Sequence, residues 1–400
     1  MILLIFLEKQ VIMGILNNNR VIDKNVTFPL VYDDVLNVKG EGFGSPLCLI
    51  DNKLYMYTTD CLHCIDLELK KIVWQKKGRW SGTPICDQDD LIYLESNEMP
   101  ICFDPQKQIV RCDYGLGEVI WSVVGGKVIC LKVNIRDEGG ERIVIEKLSC
   151  RDKKTGDKIW SVLDAGRPTA RIFVGDGIVL QGGYKGYTAL SIDSGELLWK
   201  LNHLEFLKEE FSDKNFSGNL KSTFYDVSLS IGPLIDGVFY VGYKHKVKLP
   251  NTQDVLVAFN VQTSCMIWFY EFPPWNSTGT MIVKDDKLYF DLAQVSNAGS
   301  NNFLHCLDAK TGKILFIENE LFTEFGSMNP VIINNYFVTG YGNRLSFYDI
   351  EKRKFVWRYQ DKKKINIFQG YKLVFKDKFI AYNSVDKDIY FFRAKNQSKV

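Results

Sequence analysis

The hydrophobic positions of this chain fall in short runs rich in Val, Ile, Leu, Tyr and Phe, separated by polar breaks. Runs of this length and composition predict strands rather than helices. Eight of the breaks are tight hairpin signals: Asp51-Asn52, Asp89-Asp90, Gly125-Gly126, Asp176-Gly177, Asp236-Gly237, Asp285-Asp286, Asn334-Asn335 and Lys376-Asp377. Most of these residues tolerate the left-handed backbone that two-residue turns demand. Each is followed by a strand-like run, as in Lys53–Tyr57 or Lys287–Phe290.

A second pattern runs in step with the first. An apolar run ends in Asp or Asn, a polar turn follows, and the next run carries Trp or Phe eight residues after the acid or amide. The copies are Asp66/Trp74, Asp152/Trp160, Asn260/Trp268, Asp308/Phe316 and Asp349/Trp357, with a shortened copy at Asp193/Trp199 and a degenerate one at Asp104/Cys112. Five of the eight tryptophans occupy this one position, which marks an internal repeat. The repeat assigns roles. Asp66, Asp152, Asp193, Asp308 and Asp349 precede turns, where a carboxylate accepts backbone N–H groups. Trp74, Trp160, Trp199, Trp268 and Trp357 are expected in the core. Two residues before the Asp or Asn stands a small residue (Cys64, Cys102, Cys150, Ser191, Ala258 or Cys306), expected to pack where space is limited, with Phe347 and Phe391 as the exceptions.

One unit is therefore four strands: A, the hairpin, B, a variable loop, C, the Asp turn, and D with its Trp. Eight such units predict an all-β fold, an eight-bladed β-propeller of four-stranded antiparallel blades, with seven blades as the alternative count. The eighth unit supplies only A, B and C before the chain ends. The strand-like segment Val21–Val38 is the natural donor of the missing strand, closing the ring and removing an exposed sheet edge. The domain reading is an extension over 1–20 and a single propeller over 21–400, with an insertion at 201–229.

The block Leu304-His305-Cys306-Leu307-Asp308-Ala309-Lys310-Thr311-Gly312-Lys313-Ile314-Leu315-Phe316 resembles the pyrroloquinoline-quinone (PQQ) type propeller repeat. So do Asp152–Trp160, with its Thr155-Gly156, and Asp193–Trp199, with its Ser194-Gly195. The resemblance covers roughly residues 44–393. It implies eight blades, with the repeat Trp packing between them, and extends at the level of fold to the propeller lipoprotein of outer-membrane barrel assembly. It also raises a PQQ-dependent dehydrogenase as an alternative. Such enzymes generally use calcium, a catalytic Asp and often a disulfide between adjacent cysteines. No Cys-Cys pair occurs in this chain.

Composition narrows the function classes. Aromatics reach 13%, in keeping with strands, and 50 basic against 48 acidic residues leave a net charge of +2, so no global field favours nucleic acid or an anionic membrane. No apolar stretch is long enough to span a bilayer. The start, Met1 to Leu7 followed by Glu8-Lys9, lacks basic residues ahead of its apolar run. A cytoplasmic protein is expected, with a periplasmic or secreted one as the alternative if residues 1–16 act as a signal. Cys61-Leu62-His63-Cys64 looks like a metal motif, but on a strand its cysteines point to opposite faces. Four histidines supply little for acid–base or zinc chemistry. No catalytic residue, cofactor or metal is expected.

In a four-stranded blade the B–C and D–A connections leave one edge, and the A–B and C–D turns leave the other. The irregular sequence falls in the first class: Asn134–Arg142, Lys244–Gln253, Gln294–Asn302 and the insertion Leu201–Leu229, with a helix-like start at His203–Phe211. Arg79, Trp80, Phe206, Phe211, Trp275, Phe322 and Phe325 lie there, outside the repeat positions. They either contact a partner, as aromatic and Arg side chains do at hot spots, or seal the loops onto the blades. The expectation is a monomeric, non-catalytic protein that binds a protein or peptide partner through this edge, in complex assembly or toxin neutralisation. A second alternative is a small-molecule or glycan binder in the axial channel.

Overall fold

A computed structural model of the chain describes residues 21–395 except 23, 42–44, 88, 98, 139–140, 165–170, 184–185, 212–229, 244–253, 273–276, 279–280, 297–298, 319–329, 342–343, 361–371 and 384–386. It contains eight sheets, six of them built only from consecutive antiparallel strands, and they make an eight-bladed β-propeller with almost no helix. Blade one is Ser45–Ile50, Lys53–Thr58, Cys61–Asp66 and Lys71–Lys77. The others repeat this order, down to blade seven with Val331–Ile333, Tyr336–Tyr341, Arg344–Asp349 and Lys354–Gln360.

The chain divides into two compact units. One holds blades seven, eight, one and two, and the other holds blades four to six with most of blade three. Each is a run of consecutive copies of the same motif.

The hairpin signals act as the sequence predicts. Asp51, Asp90, Gly125, Asp176, Asp236, Asp285, Asn334 and Lys376 all have positive φ. The A–B turns are two residues long in seven of the eight blades, and the C–D turns are four or five residues long.

The Asp turns are side-chain capped. Asp66 Oδ1 accepts from the Glu68 and Leu69 N–H groups, both at 2.9 Å. Asp308 Oδ1 accepts from Lys310 N, Thr311 N and Thr311 Oγ1 at 3.1, 2.8 and 2.8 Å. Asp104, Asn260 and Asp349 do the same. Asp152 ends its strand half-buried.

Asp193 departs from this pattern. In the shortened copy Ser191 takes the turn role, its Oγ 3.3 Å from the Asp193 and Ser194 N–H groups, while Asp193 points outward to an ion pair with Lys127. The small residue facing Trp199 is accordingly Ala189, not Ser191. The turn is the same length as its neighbours, so the acceptor simply sits two residues earlier in sequence.

Three repeat tryptophans lie opposite small residues, Cys64 facing Trp74, Cys150 facing Trp160 and Ala258 facing Trp268, whereas Trp357 faces Phe347. A register shift follows each of these pairs, and the bulge re-aims the side chain. Trp160 and Trp268 are buried, and Trp74, Trp199 and Trp357 are half-buried. Four indole N–H groups donate to a carbonyl of the next blade: Trp160 to Ile192 (3.0 Å), Trp199 to Val261 (2.8 Å), Trp268 to Ala309 (2.9 Å) and Trp357 to Leu30 (2.7 Å). The turn glycine of the next blade lies under the ring. A Cβ on Gly195 would stand 2.7 Å from the Trp160 ring, and one on Gly312 2.6 Å from that of Trp268. Both glycines also have φ above +70° or at it, so the Gly of the repeat is required by backbone and by neighbour alike.

The donor strand is found where the sequence places it. Leu30–Asn37 pairs antiparallel with Asp388–Ala394 and completes blade eight. Asp33 fixes it through ion pairs to Lys70 of blade one and Arg393 of blade eight. Burial raises the Asp33 pKa, but Lys70 and Arg393 outweigh it and hold the carboxyl below its ordinary value. Upstream, Val21 and Ile22 add a short parallel strand to Val331–Ile333 of blade seven, which the repeat does not foretell.

Candidate interaction edge

The short turns leave the B–C and D–A connections as the place for added structure, and all the large additions among the described residues are in the unit of blades three to six. Two of the expected loops are long hairpins. Blade three extends its B and C strands to Lys127–Glu138 and Glu141–Asp152, 12 residues each, against six for the B strand of blade one. Its D strand stops pairing at Glu146–Asp164. The register continues from Asn134–Ile145 to Glu138–Glu141, a two-stranded arm of roughly 17 Å at about 3.4 Å per residue. Blade six does the same with Lys287–Ser296 and Gly299–Asp308. The sequence presents these segments as loops because charged and Gly residues in the first, and Ser, Asn and Gly residues in the second, break the apolar runs. The third segment, Lys244–Gln253, lies outside the described residues.

The insertion after blade four begins with an eight-residue helix, His203–Glu210. Asn202 Oδ1 lies 3.4 Å from the Glu205 N–H, an N-cap position suited to Asn. His203, Phe206, Leu207 and Phe211 follow helical spacing and all are buried. Phe206 packs at 4.9 Å from Phe259 and stacks on Tyr243 at 5.9 Å, and Phe211 meets Phe269 edge-on at 5.2 Å. His203 Nδ1 lies 3.1 Å from the Tyr243 hydroxyl.

These contacts decide between the two roles for part of the set. Trp80 is 3%, Phe206 7% and Phe211 1% exposed. They seal connections onto the blades, and a partner meeting this edge would not reach their side chains. Trp80 is the first residue of its strand, donates to the Lys76 carbonyl at 3.1 Å and meets Phe103 at 6.2 Å. Arg79, beside it, is exposed. Trp275, Phe322 and Phe325 lie outside the described residues.

The metal-like motif and the histidines His63 and His305 lie inside the blades. Across the C–D ladder Cys61 faces Lys77 and Cys64 faces Trp74. Among the described residues, no three His, Cys, Asp or Glu side chains gather as a metal site. His63 and His305 share one repeat position and both are buried. His63 Nε2 contacts Thr58 Oγ1 at 3.0 Å, and its Nδ1 contacts Gln75 at 3.1 Å. His305 stacks on Phe290 at 5.2 Å and reaches the Tyr270 hydroxyl at 3.4 Å. Burial lowers both pKa values, that of His305 to about 4, so both rings are neutral at pH 7. Among the described residues no helix is long and apolar enough to cross a membrane.

The family model described as "Outer membrane protein assembly factor BamB" matches residues 35–318. The chain belongs to this family. Among solved structures, BamB from Moraxella catarrhalis is 16% identical, with a TM-score of 0.58, over 91% of this chain and 100% of that one. A quinohemoprotein alcohol dehydrogenase, ADHIIG from Pseudomonas putida HK5, is 10% identical, with a TM-score of 0.57, over 93% of this chain and 77% of that one. At these identities the likeness to both structures is one of fold. No curated protein matches the chain. Membership of the BamB family agrees with the PQQ-type repeat read from Asp308–Phe316 and its copies.

Proposed function

We propose that this BamB-family chain is a non-catalytic interaction module that binds a protein or peptide partner through the B–C/D–A edge of blades three to six. One observation carries the reading. Among the described residues the large additions of backbone are at that edge, as two projecting hairpins and a helix, while the opposite turns stay short. Function concentrates on connections held by a rigid scaffold, and the ends of two-stranded arms carry unpaired edges suited to protein contact. The family's description as an assembly factor for outer membrane proteins supports a role in complex assembly. It also favours the periplasmic or secreted alternative over the cytoplasmic compartment expected from the first residues. Of the candidate side chains, Trp275, Phe322 and Phe325 fall by sequence position in connections that follow blades five and six and remain proposed for partner contact, whereas Arg79, between blades one and two, lies outside this edge.

The test is affinity capture from the source cell with the wild type and a variant in which residues 135–144 are replaced by a two-residue turn. The shortened arm should lose partners that the wild type retains, with the far-UV spectrum otherwise preserved. Identical partner lists for this variant and for Trp275→Ala would remove the case for this edge. A PQQ-dependent dehydrogenase is the competing reading. Saturable binding of calcium and quinone with dye reduction would replace the proposal.

A further inference from the structure

Blade two breaks the repeat at one place. In five of the other blades the small residue of strand C faces an aromatic on strand D: Cys64 and Trp74, Cys150 and Trp160, Ala189 and Trp199, Ala258 and Trp268, Cys306 and Phe316. In blade two Cys102 keeps the small position, but the residue across from it is Cys112. Two thiols therefore stand where the fold otherwise sets a thiol or methyl against a ring.

We propose that Cys102 and Cys112 are an oxidisable pair that closes to a cross-strand disulfide, tying the outer strand of blade two to its neighbour. The register supports it directly, because the two residues are Cα partners on strands Met99–Asp104 and Ile109–Asp113. Two residues along, the Tyr114 N–H donates to the Pro100 carbonyl at 2.9 Å, which puts the cysteine pair at a hydrogen-bonded site of the ladder. Cα atoms there lie about 5.5 Å apart, inside the roughly 4.4–6.8 Å that a disulfide spans. The Cβ atoms of a hydrogen-bonded pair stand near the ~5.5 Å end of their range, about 1 Å wider than a relaxed bridge, so closure draws the outer strand inward and leaves the bond readily reducible. The two thiols already contact each other as a hydrogen bond.

Access and order of reaction follow from position. Cys102 is buried and Cys112 is half-buried on an outer strand whose Ile109, Val110, Arg111 and Asp113 are exposed. Cys112 is the more accessible of the two thiols, so it is the first nucleophile. With oxidised glutathione as the oxidant, the Cys112 thiolate attacks one of its sulfurs and releases one glutathione thiolate, leaving a mixed disulfide. Cys102 then gives its proton to solvent, attacks the Cys112 sulfur and expels the second glutathione. The protein loses two electrons and two protons, and the glutathione disulfide takes up both to become two thiols. Cys48 and Cys86 are also in thiol–thiol contact, but both are buried on A strands of adjacent blades, so an oxidant reaches them only after local opening. They should stay reduced.

The full chain is equilibrated with oxidised glutathione, acid-quenched, unfolded, alkylated and mapped by mass spectrometry. Of the ten thiols, Cys102 and Cys112 should both lose the label and appear in one cross-linked peptide pair, while the exposed Cys265 takes up glutathione without a cross-link. Cys112→Ser should abolish the cross-link and leave Cys48 and Cys86 labelled. The proposal is overturned if no cross-link joins Cys102 to Cys112 in the wild type, whatever becomes of Cys265, or if the cross-link joins Cys48 to Cys86. The mapping of the wild type stands whether or not the serine variant folds.

Discussion

His305 offers a quantitative test of how this fold handles a buried ionisable group. The ring is 2% exposed, and burial depresses its pKa from 6.5 to about 4. In the unfolded chain it titrates near its ordinary value. Between these two values the unfolded state binds the proton and the folded state does not, so stability is complete above about pH 6.5 and falls as the pH drops toward 4. From pH 7 to pH 5 the loss from this one group is about 2 kcal/mol by the linkage relation. His305→Phe keeps a ring against Phe290 and removes the titration. Urea unfolding followed by tryptophan fluorescence at pH 7 and pH 5 gives four free energies for the two proteins. The wild type should lose about 2 kcal/mol more than the variant between the two pH values. Contributions from His63 and from the depressed carboxylates are common to both proteins and cancel in this difference. Equal pH dependence for wild type and variant would refute the assignment of His305 as a neutral packing residue.

The docking of indole on glycine predicts unequal costs at two glycines of similar φ. Gly237→Ala meets open space at φ +74° and should cost only the left-handed backbone term, about 1–2 kcal/mol. Gly312→Ala at φ +70° must also displace Trp268, so thermal unfolding should place it clearly below Gly237→Ala, and matching midpoints would contradict the geometry. Asp33→Asn removes the carboxylate shared by Lys70 and Arg393 and should destabilise the chain by about 1.5–3 kcal/mol, with amide exchange accelerating first in Leu30–Asn37. Because the folded pKa of Asp33 is depressed, its contribution is present above the ordinary carboxylate pKa and lost as the pH falls through the folded value. The variant and the wild type should therefore converge in acid.

The architecture is legible in the sequence because its signals are local and repeated eight times over. A positive-φ turn residue announces itself by type, and a Trp at a fixed offset from an Asp does not depend on distant context. What escapes the sequence is whatever depends on a neighbour in space. Asp193 has the repeat's residue type but not its role, because Ser191 supplies the acceptor in a turn of unchanged length. The arm of blade three reads as a loop because its pairing extends past the outer strand, where no sheet face dictates alternation. Trp80, Phe206 and Phe211 cannot be told from surface aromatics until Phe103, Tyr243 and Phe269 are seen against them.

The strand that completes blade eight has a consequence for biosynthesis. Residues 30–37 leave the ribosome early, yet their partner, Asp388–Ala394, is made some 350 residues later. At about 5–20 residues per second, that interval lasts on the order of tens of seconds. Throughout it the early segment must stay uncommitted, and a prematurely terminated polypeptide never receives its complement. A truncated product is left with an open sheet edge, the kind of surface that chaperones and proteases survey, whereas a finished one conceals it.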